Sequence, residues 1–250
     1  MVSIGKMSLS DRYLGSAFGV AWAVLNPLLM LALFTFVFGF VYKTRLPGAD
    51  TTLGYSIWLI CGYGPWLANT EAITTTAQSI ISNTGLVKNM AFRTEVLPIA
   101  TTLLGLVPLS VSLGFLMLLQ LISGSLWSWQ LLWLPVLVVI QFLFLAGIGV
   151  LLSIVTTFIR DFGIILPNLL MILLFGTPIF YSIKNVPLIY AHATQFNPIY
   201  IISEGYRSVL LAHACPNLLS QGILALISMI ILQINLKIFR RIKGYLPSVI

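Results

Sequence analysis

The side chains that could carry chemistry in this chain are few, and the most unusual is one acidic residue within a largely apolar stretch. Glu71 lies in a segment that we expect to cross a membrane. A charge at the bilayer centre costs about 2.5–3.5 kcal/mol on insertion scales, so its default interpretation is functional. Glu71 could be the coupling site of an ion-coupled secondary transporter, or it could face a polar helix interface beside Asn69 and Thr70. No other apolar stretch carries an internal charge of this kind, which disfavours ion coupling.

Motifs of enzyme active sites are absent from the sequence. There is no G-x-x-x-x-G-K-[ST] phosphate loop, no H-E-x-x-H zinc motif and no G-x-S-x-G nucleophile motif. His192 and His213 lack a metal-ligand spacing, so no metal site is expected. Cys61 and Cys215 form no C-x-x-C pair and are expected to be buried apolar residues, unless both lie at the outer face and pair. The chain is therefore predicted to be non-enzymatic and to bind no cofactor.

The composition requires lipid as the main solvent of this chain. Of its 250 residues, 59% are hydrophobic and 8% are charged, and the mean hydropathy is +1.03. A typical soluble domain has about 25% charged residues, so this chain cannot cover a water-facing surface. The net charge of +7 comes from short basic clusters between apolar runs, the pattern of cytoplasmic loops beside anionic lipid. Nucleic-acid binding is therefore disfavoured.

Six apolar stretches are long enough to cross a bilayer, which needs about 20 mostly apolar residues. The first run, 21–42, is too long for a cleavable signal and should remain in the mature protein. The second is the least apolar, but neighbouring helices can satisfy its polar groups. We predict an all-α membrane protein with one domain over 1–250. Its six spans are 24–43, 55–80, 97–122, 131–157, 164–181 and 218–237.

The distribution of basic residues predicts that both termini are cytoplasmic. With the N-terminus inside, nine basic residues fall on the cytoplasmic side and four on the outside, in agreement with the positive-inside rule. The inner set is Lys6, Arg12, Lys88, Arg93, Arg160, Lys237, Arg240, Arg241 and Lys243, and the outer set is Lys43, Arg45, Lys184 and Arg207.

Residues 1–23 are predicted to form an amphipathic interfacial helix on the cytoplasmic side, and 238–250 a short tail there. Gly15 and Gly19 are four residues apart, which permits close helix packing. The helix could dock beside the spans and contact a cytoplasmic partner, or it could serve only as a membrane-surface anchor.

Two further cytoplasmic segments are candidate contacts for a partner. Residues 82–96 combine helix caps, charges and an apolar side, so Phe92 could enter a groove on a partner while Lys88 and Arg93 set the register. A charged turn that obeys the positive-inside rule is the alternative. Arg160 and Asp161, between the fourth and fifth spans, favour a structural ion pair at the headgroups, with a second partner contact as the alternative.

The connection 182–216 is too polar and too interrupted to cross the membrane. Asn197 and Pro198 make a good helix start, with asparagine as the cap and proline in the first turn. We predict one or two short helices that dip into the outer leaflet or lie on it. Non-helical backbone at that depth is tolerated only against protein or a water-filled path, so this connection is a candidate outer gate.

These segments together resemble the permease subunit of type-2 ABC exporters, in the branch that exports polysaccharides such as O-antigen, capsule and teichoic acid. The matching segments are RYLGSAFGVAWAVLNPLLMLALFTFVFG (12–39), GLVKNMAFRTEVLPIA (85–100), TTFIRDFGIILP (156–167), TPIFYSIKNVP (177–187) and FNPIYIISEGYRSVLL (196–211). The loop departs from the family pattern, because it lacks a strongly basic run before Phe92 and a proline directly after it.

The resemblance implies a homodimer in the bacterial inner membrane, paired with two copies of a separate ABC ATPase that binds ATP and Mg²⁺. It implies a glycan cargo carried on a polyprenyl pyrophosphate, which could first meet Arg12 and Tyr13. The implied ATPase-coupling residues are Lys88, Asn89, Phe92, Arg93, Glu95, Arg160 and Asp161. The implied outer-gate residues are Pro178, Tyr181, Asn197, Pro198, Glu204 and Arg207.

Overall fold

The computed structural model describes residues 18–41, 51–89, 93–124, 128–183 and 186–246, and every regular element within them is helical. Short 3-10 turns at Gly19–Ala21, Leu103–Gly105 and Trp129–Trp133 precede or join the longer helices. The α-helices are α1 Trp22–Phe34, which continues as a π-helix over Thr35–Val41, α2 Thr52–Ala77, α3 Ser79–Ser82, α4 Thr84–Asn89, α5 Val96–Thr102, α6 Leu106–Ile122, α7 Leu134–Phe158, α8 Arg160–Gly176, α9 Leu188–Thr194, α10 Pro198–Leu210 and α11 Leu218–Ile242.

Four helical stretches are long and apolar enough to span a membrane: Trp22–Val41, Val96–Ile122, Trp129–Phe158 and Leu218–Ile242. They match the first, third, fourth and sixth predicted spans, and the all-α membrane class is confirmed. The second predicted span corresponds to α2, which has 26 residues but is less apolar. The fifth corresponds to α8, which has only 17 residues. The count of six spans stays a prediction.

Helix α2 lies at the centre of the bundle, which explains its low hydropathy. It packs against α1, α6, α7, α8 and α10, so its side chains face protein rather than lipid. The hydroxyls of Thr70 and Thr74 donate to carbonyls one turn earlier, at 3.1 and 2.7 Å. Thr76 Oγ1 lies 3.1 Å from Thr102 Oγ1 on α5. As predicted, neighbouring helices and the helix backbone provide partners for polar groups of this segment, although Asn69 Nδ2 is buried without a partner among the residues that the structure describes.

The bundle has two ends with separate packing. At one, the α10 end, α10 packs against α2 and the start of α11. At the other, the α4 end, a small apolar cluster forms apart from the main core. Helices α2 and α11 connect the two ends, and the 25 residues of α11 correspond to a length of about 37 Å. The cluster at the α4 end consists of Ile80, Val87, Leu97, Val150, Ile154, Phe239 and Leu246.

The two cysteines have different environments, and both are free thiols. Cys61 is buried in α2, as expected. Cys215 is exposed, so the prediction of burial was wrong for this residue. The reason is that it lies in the short connection between α10 and α11, outside the packed helices.

Candidate functional sites at the two ends of the bundle

A buried arginine holds the α10 end together. Arg207 is 5% exposed. Its Nη1 donates to the carbonyl of Pro178 at 3.0 Å and its Nη2 to that of Ile179 at 2.8 Å. The guanidinium also lies 3.8 Å from the centre of the Trp58 ring, a cation–π contact. One side chain therefore joins α10 to α2 and to the segment that follows α8.

The absence of a side chain at Gly62 makes room for this arginine. A Cβ at that position would lie 2.6 Å from Arg207 Nη2, which is closer than atoms can pack. The only carboxylate that pairs with Arg207 in the described part of the chain is Glu204, at 3.4 Å, and it is 47% exposed. Because water screens the half-exposed Glu204 carboxylate, the two carbonyls and the Trp58 ring are the main partners of the buried charge.

The other predicted gate residues also make contacts at the α10 end. Asn197 Oδ1 accepts from the backbone N–H of Ile199 at 2.9 Å, and Pro198 occupies the first turn of α10, so the predicted helix start is confirmed. Asn197 Nδ2 donates to Thr177 Oγ1 at 3.0 Å. Tyr181 Oη donates to the carbonyl of Phe175 at 3.0 Å. A gating role for these residues stays a prediction.

A buried hydrogen-bond network, which the sequence analysis missed, is centred on Gln141 of α7. Gln141 Nε2 donates to the Pro65 carbonyl at 3.0 Å and to Asn69 Oδ1 at 2.8 Å. Its Oε1 accepts from Tyr206 Oη at 2.8 Å. All three side chains are at most 1% exposed, and they connect α2, α7 and α10. The signal that could have found it is the single glutamine within the apolar run 131–157.

At the α4 end, four of the predicted coupling residues are exposed. Lys88 lies near the end of α4, Arg93 lies before α5, and Arg160 and Asp161 begin α8. Among the described residues, Arg160 and Asp161 form no ion pair with each other, and their role, at the headgroups or in a partner contact, stays a prediction. Asn89 ends α4. Phe92 lies outside the described residues, as do Arg12 and Tyr13 of the entrance.

Glu95, in contrast, is directed inward. Its Oε1 lies 3.5 Å from Arg240 Nε of α11, and the glutamate side chain is only 13% exposed. The same pairing joins two segments that also meet in the apolar cluster, where Val87 and Leu97 pack with Phe239. Glu95 therefore has a partner on α11 within the same chain, while direct contact with an ATPase stays a prediction.

The chain matches a known protein family over most of its length. Residues 2–211 match the family described as ABC-2 type transporter. The chain belongs to this family. It is similar to the O-antigen export system permease protein RfbA of Klebsiella pneumoniae, with 26% identity over 247 residues, 97% of this chain and 92% of the relative. A permease of the same name from Myxococcus xanthus is 25% identical over 241 residues, 96% of this chain and 90% of the relative.

Membership confirms the resemblance that the sequence segments indicated. As an ABC-2 permease, the chain is a membrane transport subunit, and its family implies partnership with an ABC ATPase. The ion-coupled alternative is correspondingly disfavoured. In the permease structure, Glu71 lines a cavity of about 160 Å³ together with Asn26 and Thr70, between α1, α2 and α6. These surroundings support the polar-interface interpretation of this carboxylate.

We expect the Glu95–Arg240 pair to make a small, charge-specific contribution to the stability of the permease. Because Arg240 is 61% exposed, the pair should contribute about 1 kcal/mol or less. Glu95→Lys should lower the thermal unfolding temperature in detergent by a few degrees, since it places two cations together. Glu95→Lys combined with Arg240→Glu should recover most of that loss. Equal stability of the single and double variants would contradict the pairing.

Proposed function

We propose that this permease works as a homodimer with two copies of a separate ATPase, and that it exports a polysaccharide carried on a polyprenyl pyrophosphate across the bacterial inner membrane. The observation that carries the proposal is the similarity to O-antigen export permeases over at least nine-tenths of both chains. These names favour an O-antigen-like cargo over capsule or teichoic acid. The ATPase would bind ATP and Mg²⁺, and both termini of the permease would be cytoplasmic.

Two exposed amides support a channel between two protomers. Asn26 on α1 and Asn168 on α8 are both exposed, on helices whose surfaces are otherwise largely apolar. A polar side chain that faces lipid is unfavourable, whereas one that faces a water-filled path is readily accommodated. An arrangement with α1 and α8 facing a second copy would place both amides beside such a path.

Coupling to the ATPase is proposed to pass through the loop 82–96. Closure of the ATPase on ATP would push on this loop and move the helices as rigid bodies. We expect Phe92→Asp to abolish export while ATP hydrolysis continues and the permease still inserts, because a carboxylate cannot enter an apolar groove. Phe92→Leu, the matched control, should retain most export. Normal glycan export by the Phe92→Asp variant would remove this assignment.

The entrance is proposed to lie at Arg12, where a guanidinium can pair with the pyrophosphate of the carrier lipid at the inner face. Arg12→Ala should reduce glycan export severalfold, and Arg12→Lys should reduce it less, since the lysine keeps the positive charge. Surface glycan can be measured in cells that contain equal amounts of each permease. Unchanged export by Arg12→Ala would assign this residue to ordinary headgroup binding.

The proposed function is tested by deleting the gene in the source organism and locating the glycan. Glycan should disappear from the surface of intact cells and accumulate on its lipid carrier, accessible only after the cells are lysed. The wild-type gene should restore surface glycan, and a variant ATPase without hydrolytic activity should prevent that. Normal surface glycan in the deletion strain would overturn the proposal.

A further inference from the structure

The surface of α11 that is turned away from the bundle combines an apolar stripe with a cationic end. The helix packs mainly against α7 and, at its start, against α10. On its outward face, side chains recur at intervals of three and four residues, which places them in one line along the helix. This line consists of Ile223, Ile227, Ile230, Ile234, Lys237 and Arg241, and all six are exposed.

The apolar part of this line matches one leaflet of the bilayer in length. Ile223 and Ile234 are separated by about 16 Å along the helix, at 1.5 Å per residue, and the whole hydrocarbon core is about 30 Å thick. Each of the four isoleucines is about half exposed. Lys237 follows Ile234 by less than one turn, so its ammonium belongs at the level of the lipid headgroups.

The end of α11 carries positive charge without compensation on the same helix. Residues 237–243 contain four basic side chains, and residues 218–250 contain no aspartate or glutamate. In the part of the chain that the structure describes, Lys237 and Arg241 have no ionic partner. Arg240 pairs with Glu95 and remains 61% exposed. Each exposed cation beside an anionic membrane surface strengthens binding about fivefold.

The two parts of this face together favour a lipid with an anionic headgroup. An acyl chain can cover the isoleucines, while a phosphate oxygen accepts hydrogen bonds from the ammonium of Lys237 and the guanidinium of Arg241. A soluble acidic partner is disfavoured, because Lys237 continues directly from the apolar stripe. A transported carrier lipid is also disfavoured, because α11 packs on α7 and α10, whereas the proposed channel lies at α1 and α8.

We propose that this face of α11 binds an anionic diacyl phospholipid, with its phosphate held by Lys237 and Arg241 and one acyl chain along residues 223–234. The bound lipid stabilises the end of α11 that contacts Glu95 through Arg240. The proposal concerns the permease in its membrane and does not depend on which cargo is exported.

Photo-crosslinking of the purified permease in vesicles tests this site. The vesicles contain equal amounts of phosphatidylglycerol and phosphatidylcholine, distinguished by isotope labels. A benzoylphenylalanine at Ile234 should form about tenfold more adducts with phosphatidylglycerol than with phosphatidylcholine. The same group at Leu118, an exposed apolar residue of α6, should react with both lipids about equally. The proposal is wrong if Ile234 shows no preference or if Leu118 shows the same preference.

Two charge variants identify the cations that hold the phosphate. Lys237→Gln combined with Arg241→Gln leaves the Arg240–Glu95 pair in place and should lower the preference at Ile234 about tenfold, to the value at Leu118. Lys88→Gln combined with Arg93→Gln removes two exposed cations from the same end of the bundle and should leave the preference unchanged. A preference that survives the first variant, or that both variants abolish equally, would overturn the proposal.

Competition distinguishes the phospholipid from the other occupants. Polyprenyl phosphate at one-tenth of the phosphatidylglycerol concentration should leave the adducts at Ile234 unchanged, and so should the ATPase subunit at a twofold excess over the permease. Displacement by polyprenyl phosphate would assign this face to the carrier lipid, and displacement by the ATPase would assign it to that protein. Either result would contradict a phospholipid site, while the proposed export function would still stand.

Discussion

Replacing Arg207 by methionine should lower the stability of the permease by about 3 kcal/mol or more and abolish export. The substitution leaves the carbonyls of Pro178 and Ile179 without their charged donors, and hydrogen bonds to charged groups contribute about 1.5–3 kcal/mol each. It also removes the cation–π contact with Trp58. The loss corresponds to a drop of about 10 °C in the unfolding temperature of a chain of this size, which fluorescence-detected thermal unfolding in detergent can measure.

Two further variants identify the cause of that loss. Arg207→Lys keeps the charge, but its compact ammonium cannot reproduce the planar fork that reaches two successive carbonyls, so it should recover only part of the stability. Glu204→Gln removes the exposed ionic partner and should change the unfolding temperature little. If Glu204→Gln destabilised the permease as much as Arg207→Met, the ion pair rather than the carbonyl contacts would hold the α10 end.

Replacing Gln141 by leucine should destabilise the permease by about 2 kcal/mol. Three hydrogen bonds between helices are lost, to Pro65, Asn69 and Tyr206. Bonds of this kind inside a membrane contribute on average about 0.6 kcal/mol each, and the Tyr206 hydroxyl is left buried without its acceptor, which adds to the cost. Unfolding in detergent or in bicelles would measure the difference.

A double substitution tests whether the loss of stability in Gln141→Leu comes from the broken hydrogen-bond network. Tyr206→Phe removes the orphaned hydroxyl, so it should be less harmful in the Gln141→Leu background than in the wild type. The coupling between the two positions, taken from the four unfolding free energies, should be clearly different from zero. Additive losses would show that Gln141 contributes through packing volume alone.

The long helices of this fold follow from the sequence because lipid-facing helices must be apolar along their whole length. The four stretches with the clearest hydropathy were predicted to within a few residues. Helix α2 was harder to assign, since a helix surrounded by protein can carry Thr70, Thr74 and Asn69 without exposing them to lipid. Hydropathy measures polarity along the chain and contains no information about which neighbour will satisfy each polar group.

Contacts in the candidate sites were predictable only where the interacting residues are neighbours in the sequence. The asparagine cap and the proline at the start of α10 follow each other in sequence, and both were recognised. The contacts of Arg207 were not predicted. Trp58 is distant from it in the chain, and no sequence pattern indicates that the carbonyls of residues 178 and 179 lie beside Arg207. The partners of Gln141 depend on the same kind of long-range packing, because Pro65, Asn69 and Tyr206 are all distant from it in the chain.

Helix α11 sets the relation between the two faces of the permease. It is a single helix of 25 residues, with Gln221 in its first turn and Phe239 and Arg240 in its last. A continuous helix resists shortening along its axis, so an axial shift imposed at Phe239 reaches Gln221 with almost the same amplitude. We therefore expect an axial displacement of α11 at Phe239 to equal the displacement at Gln221, without amplification and without a relay of rearranging side chains.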